Sequence, residues 1–288
     1  MSATTLVTVA PEHAAKRKAQ WYRVPALMAG LVLLVIILAM VIGAPLLTSH
    51  NPNVQDLNAV LSGPSSQHLL GTDQLGRDTW SRLLYGGRVD LQVAFLAVLF
   101  PFVLGTILGS LAGYFGGWVD LIIMRIVDIV VAFPFYVLII ALVFVLGTGE
   151  SSIYIAIPAV GWVSYARIIR GEILVAKRQE YVLAAQSGGL SNLRIMGRHL
   201  LPNVITQAII YAMSDIVQDI LAIVTLSYLG LGIQPPTPDW GTMIANGQNF
   251  LTTHWQLTTI PGLAVVVTGL ALSLIGDGLA DLLRPGQS

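Results

Sequence analysis

Long stretches without a charged residue constrain this chain more than any other feature. Pro25–Leu47 and Leu91–Phe115 contain no Asp, Glu, Lys or Arg. A helix of roughly 20 apolar residues crosses a hydrocarbon core of ~30 Å. The chain as a whole is 55% hydrophobic and only 10% charged, with a mean hydropathy of +0.75. The sequence therefore predicts an all-α, polytopic membrane protein.

Six transmembrane helices are predicted from the apolar segments. They are Pro25–Leu47, Leu91–Phe115, Leu121–Gly147, Ile153–Ile169, Val204–Ile233 and Leu257–Ile275. These helices divide the chain into an N-terminal segment (1–24), a first helix (25–47), a loop (48–90), a five-helix core (91–282) with a polar loop at 176–203, and a tail (283–288).

The positions of Lys and Arg predict the orientation, because positively charged loops stay in the cytoplasm. With the N-terminus inside, the basic residues of the leader, of the polar loop region and of the tail all lie on one side. The loop at 234–256 has no Lys or Arg, as expected outside. We therefore expect both termini in the cytoplasm and loop 48–90 outside. The basic residues assigned to the inside are Lys16, Arg17, Lys18, Arg23, Arg167, Arg170, Lys177, Arg178, Arg194, Arg198 and Arg284.

Three glycines repeat every four residues on the second predicted span: Gly105, Gly109 and Gly113. Small residues at this spacing form one smooth helix face that lets a neighbouring backbone approach closely in lipid. We expect this face to pack against another helix.

The segment Tyr181–Asn203 is a polar island in this apolar chain. Good helix formers run to Gln186, then Ser187-Gly188-Gly189 interrupts, and helix formers resume to Leu201. This pattern predicts two short helices that meet at a glycine turn, with Pro202 ending the second. Arg194 and Arg198 are four residues apart and would share a helix face. Composition alone is also compatible with an ordinary basic loop that only sets the topology.

The order of an alanine pair, a glycine and Leu-Pro within this island resembles the EAA motif, the cytoplasmic coupling loop of ABC importer permeases. One departure is Leu183, because the family usually has a glutamate directly before the alanine pair. The resemblance implies that the loop docks on an ATPase subunit. The residues it assigns to this contact are Leu183, Ala184, Ala185, Gly189, Arg194, Arg198, Leu201 and Pro202.

Further motifs are similar to those of the dipeptide/oligopeptide/nickel permease family, and their order and loop lengths resemble its C-type subunit. The matching segments are HLLGTD at 68–73, GRD at 76–78, SRL at 81–83, LSYLGLG at 226–232, PPTPDWG at 235–241, PG at 261–262 and GDGL at 276–279. The resemblance implies a type I ABC importer permease fold in a bacterial inner membrane. It also implies several partners: a homologous B-type permease, two ATPase subunits that bind ATP and Mg²⁺, and an extracytoplasmic substrate-binding protein.

Charged residues inside predicted helices must face protein or water, because a carboxylate in lipid costs about 2.5–3.5 kcal/mol on insertion scales. Asp215 and Asp219 lie four residues apart on one face of the fifth span. Together with Gln218 they either line a transport pathway or pair with a neighbouring helix or subunit. Arg125 and Asp128, three residues apart, are predicted to form an ion pair.

The predicted external loop carries acidic and basic residues among glycines. It either contacts a binding protein or covers a pore mouth, or it is held together by its own Asp–Arg pairs; the two interpretations are compatible. The residues concerned are Gly71, Thr72, Asp73, Gly76, Arg77 and Asp78.

Several kinds of site are not indicated. There is no Gly-x-x-x-x-Gly-Lys-Ser/Thr motif, so this chain is predicted to be no ATPase and to bind no cofactor itself. The five histidines have no metal-ligand spacing, which predicts no metal site. The chain has no cysteine and zero net charge, and a nucleic-acid partner is not expected.

Three functional alternatives remain. The first is a permease subunit of an ABC importer for dipeptides or oligopeptides, or for the glutathione-like compounds and nickel chelates that related systems carry. The second is an ion-coupled secondary transporter with Asp215 and Asp219 as coupling groups. The third is a membrane scaffold without transport activity.

Overall fold

The computed structural model describes residues 24–283, and the regular elements within this range are helices. The α-helices are α1 (Pro25–Ile42), α2 (Ala44–Leu47), α3 (Thr79–Phe115), α4 (Gly117–Val131), α5 (Phe135–Leu146), α6 (Glu150–Ala176), α7 (Glu180–Ser187), α8 (Asn192–Ile195), α9 (Leu201–Tyr228), α10 (Trp240–Gly247) and α11 (Gln256–Leu283). A π-helical segment, Met196–Leu200, joins α8 to α9. The basic leader and Arg284, which entered the orientation prediction, lie outside the described residues.

Five helical runs are long and apolar enough to cross a membrane: α1, α3, α6, the continuous run Asn192–Tyr228, and α11. A sixth candidate is the pair α4 and α5, whose axes differ by 88°. The prediction of an all-α polytopic protein is therefore confirmed, with six spans if the bent pair counts as one.

The third predicted span, Leu121–Gly147, is broken in its middle. α4 ends at Val131 and α5 begins at Phe135, with Pro134 at the N-cap of α5. Proline has no N–H to donate, and its ring pushes the preceding residue out of the helical region. The apolar segment that was predicted as one helix is therefore two helices with a sharp bend at Pro134.

Two helices extend beyond their apolar segments. α3 begins at Thr79 rather than Leu91, since Asp78 caps it by accepting a hydrogen bond from the Ser81 N–H at 2.7 Å. Its 37 residues span about 55 Å at 1.5 Å per residue, more than a hydrocarbon core. α6 similarly spans Glu150–Ala176, beyond the predicted Ile153–Ile169. Hydropathy marks only the part of a helix that lies in lipid, so it misses polar turns at the ends.

The glycine face of α3 packs against α6, as predicted. A Cβ atom at Gly109 would lie 2.5 Å from the Ala166 carbonyl oxygen, and one at Gly113 would lie 2.8 Å from the Ile173 Cβ. Such distances are too short for any side chain, so these two backbones can approach only where α3 has glycine.

The first and last long helices pack together in the same way. A Cβ atom at Gly30 would lie 2.7 Å from the Ala271 carbonyl oxygen, and one at Gly278 would lie 2.5 Å from the Leu27 Cβ. This contact closes the bundle by placing α1 against α11.

The bundle has two ends, the α7 end and the α10 end. The α7 end carries α7, α8 and the C-termini of α3 and α6. The α10 end carries α10 and the N-terminus of α3, where the Trp240 N–H donates to the buried Asp90 carboxylate at 2.9 Å. Asp239, which caps α10, is also buried, and burial raises the pKa of its carboxyl group.

Candidate functional site

The polar island forms an elbow at the α7 end. α7 ends in a C-terminal turn in which the Leu190 N–H donates to the Ala185 carbonyl at 3.2 Å and the Gly188 N–H donates to the Ala184 carbonyl at 2.9 Å. Gly189 has φ +73°, the left-handed conformation that ends many helices and suits glycine. The predicted glycine turn between two short helices is therefore present, with Gly189 as its pivot.

One side of the elbow is anchored in the bundle. Val182 of α7, Ile195 of α8 and Leu200 of the π segment are each at most 1% exposed. They belong to an apolar cluster that also contains Tyr165 and Ile173 of α6. The elbow therefore packs on the ends of the long helices instead of hanging free.

The other side of the elbow is exposed. Of the residues that the motif assigns to partner contact, Ala185 and Leu201 are half-buried on the anchored side. The exposed ones are Leu183, Ala184, Gly189, Arg194, Arg198 and Pro202. We call these six residues the elbow surface.

Polar contacts fix the base of the elbow. The Tyr114 hydroxyl of α3 donates to the Asn192 side chain at 3.0 Å. The Lys177 ammonium, beyond the end of α6, donates to the Gly113 carbonyl of α3 at 2.8 Å. Arg170 of α6 forms an ion pair with Asp120 of α4. The elbow is thus tied to α3 through Asn192, and the helix ends beneath it are tied to one another.

Pro202 does not end the second short helix, which corrects the prediction from sequence. It lies in the first turn of α9, within a helical run that continues from Asn192 to Tyr228. The π segment Met196–Leu200 precedes it. A π turn already departs from the regular α-helical hydrogen-bond ladder, so a residue without an N–H fits directly after it. The second half of the elbow, from Asn192 onward, and the long helix α9 are thus one continuous helical run.

The carboxylates of α9 lie inside the bundle. Asp215 is 6% exposed and accepts a hydrogen bond from the Tyr165 hydroxyl of α6 at 2.7 Å. Asp219 is 2% exposed, one helical turn further along. The hydrogen bond supports the interpretation that Asp215 pairs with a neighbouring helix.

A cavity of about 310 Å³ opens beside Asp215. Its walls include the bend between α4 and α5, a stretch of α6, and Asp215 and Gln218 on α9; Asp219 is not part of the lining. Gln218 is exposed. The structure therefore places Asp215 and Gln218, two of the three predicted pathway residues, at one opening. Asp215 can both pair with a neighbouring helix and line a pathway.

Several charged residues of loop 48–90 are buried: Asp73, Arg77, Asp78 and Arg82. Asp73, 8% exposed, accepts from the Arg77 Nε at 2.7 Å and from the Arg77 and Leu75 N–H groups at 3.0 and 2.8 Å. Arg82 lies 3.7 Å from the same carboxylate and donates to the Pro52 carbonyl at 2.9 Å. These contacts support the interpretation that the loop is held together by its own Asp–Arg pairs.

The glycines of this loop have structural roles. Gly71 and Gly76 have φ +75° and +70°. A Cβ atom at either position would overlap the backbone of Ser62 or Asp56. Thr72 and Asp78 are also buried and form an isolated bridge. The six residues singled out from sequence are thus buried and hold the loop together.

Sequence reasoning missed two groups. The histidine spacing predicted no metal site, yet the rings of His50 and His68 lie 4.9 Å apart, centroid to centroid, next to Asp78. Tyr165 was also missed, since nothing in its local sequence indicates a carboxylate partner on α9. The predicted Arg125–Asp128 pair is confirmed, at 3.8 Å between two exposed side chains.

Two family models match this chain. Residues 105–288 match the family described as "binding-protein-dependent transport system inner membrane component", and residues 20–64 match the N-terminal transmembrane domain of oligopeptide transport permease C. The chain belongs to this permease family. The resemblance to a C-type permease is thereby confirmed.

Named relatives of this permease cover most of both sequences. It is 38% identical to the dipeptide transport system permease protein DppC of Alkalihalophilus pseudofirmus, over 89% of this chain and 84% of the relative. It is 39% identical to a probable D,D-dipeptide permease, DdpC, of Escherichia coli K12 (91% and 88%) and to the glutathione permease GsiD of Pectobacterium atrosepticum (90% and 86%).

The permease also resembles a solved structure, the MetNI methionine ABC transporter in inward-facing conformations. The TM-score is 0.57 at 16% sequence identity, over 70% of this chain and 97% of that chain. At this identity the likeness shows the fold, which is that of a type I ABC importer permease. The family match, together with the membrane-spanning helices, makes the chain a multi-pass transport subunit of an ABC importer.

Proposed function

We propose that this permease is the C-type subunit of a bacterial ABC importer that takes up dipeptides or oligopeptides. The observation that carries the proposal is the similarity over about nine-tenths of the chain to permeases named for dipeptide, D,D-dipeptide and glutathione transport. All three solutes are short peptides or peptide-like compounds. The family match also favours an importer over the ion-coupled transporter and the scaffold.

The elbow surface is the docking site for an ATPase subunit in this proposal. It combines small residues, which allow close approach, with the two cations Arg194 and Arg198, which suit an acidic groove. Leu183 stands where the family motif has glutamate, so contact at this position is apolar. ATP and Mg²⁺ bind to the partner, since this chain lacks a phosphate-binding loop.

Movement of the docked elbow reaches the membrane through packed contacts. Val182, Ile195 and Leu200 embed the elbow in the cluster formed with α6, and α8 continues into α9 without a break. ATP can drive transport only by favouring one of two conformations, through different affinities for the two states. In the outward-open state, a homologous B-type permease and this chain would enclose a cavity that receives solute from an extracytoplasmic binding protein.

The α9 segment with Asp215 and Gln218 is the part of the pathway contributed by this chain. The cavity beside it is walled by the α4–α5 bend. Selection of the solute is left mainly to the binding protein. The pathway therefore needs a polar lining but no tight binding site, and the Asp215 carboxylate, hydrogen-bonded to Tyr165, provides such a lining.

Gly189→Arg tests the docking assignment. Arginine is strained at φ +73° and places a long cation on the elbow surface. We expect uptake of a radiolabelled dipeptide to fall to background and the ATPase subunits to be lost on co-purification, while the amount of chain in the membrane is unchanged.

Gly63→Arg controls for the added surface cation alone. Gly63 lies in loop 48–90, outside the left-handed region, with nothing within 4 Å of its Cβ position. This variant should retain uptake and ATPase subunits. Normal uptake by Gly189→Arg would refute ATPase docking at the elbow.

A further inference from the structure

Three side chains from separate parts of loop 48–90 and the start of α3 converge at the α10 end. His50 follows α2, His68 lies mid-loop, and Asp78 caps α3. One potential ligand atom from each lies within 4.8 Å of the other two. Imidazole nitrogens and a carboxylate oxygen are ligands that suit zinc and neighbouring divalent transition metals. We propose that His50, His68 and Asp78 bind one such ion.

His68 is already oriented in the way that metal-binding histidines are. Its Nδ1 lies 2.9 Å from Asp78 Oδ1, at hydrogen-bond distance. A carboxylate on one ring nitrogen fixes the ring and leaves the other nitrogen as the ligand. The His68 backbone is held as well, since its N–H donates to the Ser65 hydroxyl at 3.0 Å and its carbonyl accepts from Gly71 at 2.9 Å.

Asp78 is fixed from its other side. Its Oδ2 accepts the Ser81 N–H at 2.7 Å as the N-cap of α3, and its side chain is 4% exposed. The carboxylate therefore has one oxygen committed to the helix and the other directed at His68. It can serve either as a direct ligand or as the group that orients His68.

His50 is placed by the same hydrogen-bonded chain. Its backbone N–H donates to the Thr48 hydroxyl at 3.1 Å, and that hydroxyl lies 2.5 Å from the Ser81 hydroxyl. The backbone of His50 and the side chain of Asp78 are therefore both positioned by the first turn of α3.

The site is open to solvent. His50 lines two cavities, of about 780 and 350 Å³, and Asp78 lines the smaller one. His68 is 17% exposed. An ion can therefore enter, and a position remains free for water or another ligand.

Only a small movement is needed to close the site. Ligand atoms at 2.0–2.2 Å from a tetrahedral ion are about 3.3 Å apart. The present separations reach no more than 4.8 Å, so the ligand atoms would have to approach one another by at most about 1.5 Å. A bound ion would tie the start of the loop, its middle and the N-terminus of α3 together.

Cobalt titration tests the site, because Co²⁺ bound by nitrogen and oxygen in a tetrahedral site absorbs visible light. The complex is purified through a tag without histidine, stripped with a chelator, and titrated with Co²⁺ and then with Zn²⁺ as competitor. We expect one equivalent of Co²⁺ per chain, displaced by Zn²⁺. His50→Ala and His68→Ala should each lose the band. Asp78→Asn, which still caps α3, should bind at least tenfold more weakly.

His254→Ala is the control, since His254 belongs to the α10 end but not to the cluster. It should bind Co²⁺ as the unchanged protein does. His50→Ala leaves the His68–Asp78 hydrogen bond and the α3 cap in place, so it keeps the test valid if His68→Ala does not fold. An unchanged band in His50→Ala, or no band in the unchanged protein, would show that the cluster is a hydrogen-bonded His–Asp pair without a metal.

Discussion

Tyr165 and Asp215 show what single residues contribute inside this bundle. The Tyr165 hydroxyl of α6 donates to the carboxylate of α9, and both residues are buried. A polar group in a membrane interior needs a partner, because no water is available to replace one. This contact therefore joins α6 to α9 and fixes the carboxylate beside the cavity.

We expect Tyr165→Phe to destabilise the protein by about 1 kcal/mol, a typical value for a hydrogen bond between membrane helices. Asp215→Asn should cost less, since its amide oxygen still accepts from Tyr165. Thermal unfolding of the purified variants measures both effects. Tyr181→Phe, at an exposed tyrosine of α7, should leave the stability unchanged. Equal stability of Tyr165→Phe and the unchanged protein would mean that this hydrogen bond has no structural weight.

At the scale of elements, the elbow differs from an ordinary loop because one of its sides packs on the apolar cluster that it shares with α6. Two neighbouring residues of α7 lie on different sides of the helix: Val182 is fully buried and Leu183 is 49% exposed. The sequence predicted the two helices and their turn at Gly189, since glycine and helix propensity act locally. It did not predict the continuity of α8 with α9, because the π segment has no local signature.

Two aspartate substitutions at adjacent positions test this arrangement. Val182→Asp buries an unpaired charge among apolar side chains, which destabilises strongly. We expect little folded protein from this variant. Leu183→Asp places the same charge on the elbow surface, where water reaches it, and should fold normally. Size-exclusion chromatography of the two variants compares them. Equal yields of monodisperse protein would show that Val182 does not anchor the elbow.

The bent pair α4–α5 is another property of elements. Pro134 in an apolar segment indicates a break, but its angle of 88° depends on how the two halves pack. α5 packs against α6, and the bend borders the cavity beside Asp215. The sequence therefore indicates that the helix breaks at Pro134, but the angle between the two halves cannot be predicted from it.

At the scale of the whole molecule, the two ends of the bundle differ in chemistry. The α7 end carries the exposed cations Arg194 and Arg198, and the α10 end carries the ordered loop 48–90 with its internal ion pairs. The positive residues predict that the α7 end is cytoplasmic. This orientation is required if ATPases dock on the elbow.

The absence of cysteine from the sequence makes the orientation directly measurable. Leu193→Cys introduces a thiol at a 75% exposed position of α8, and Leu57→Cys introduces one at a 74% exposed position of loop 48–90. In intact spheroplasts, a membrane-impermeant maleimide should label Leu57→Cys only. Leu193→Cys should react after permeabilisation. The reverse pattern would place the elbow outside and remove the basis for ATPase docking.

The sequence by itself determined the membrane class, the approximate spans, the glycine face of α3 and the elbow with its turn. These features depend on hydropathy and backbone preference, which are properties of neighbouring residues. Only the tertiary structure decided which side of the elbow is buried, that Tyr165 meets Asp215, and that His50 and His68 meet beside Asp78. Those contacts join residues far apart in the chain, and they are made by the packing of whole helices and the folding of loop 48–90, which no local pattern encodes.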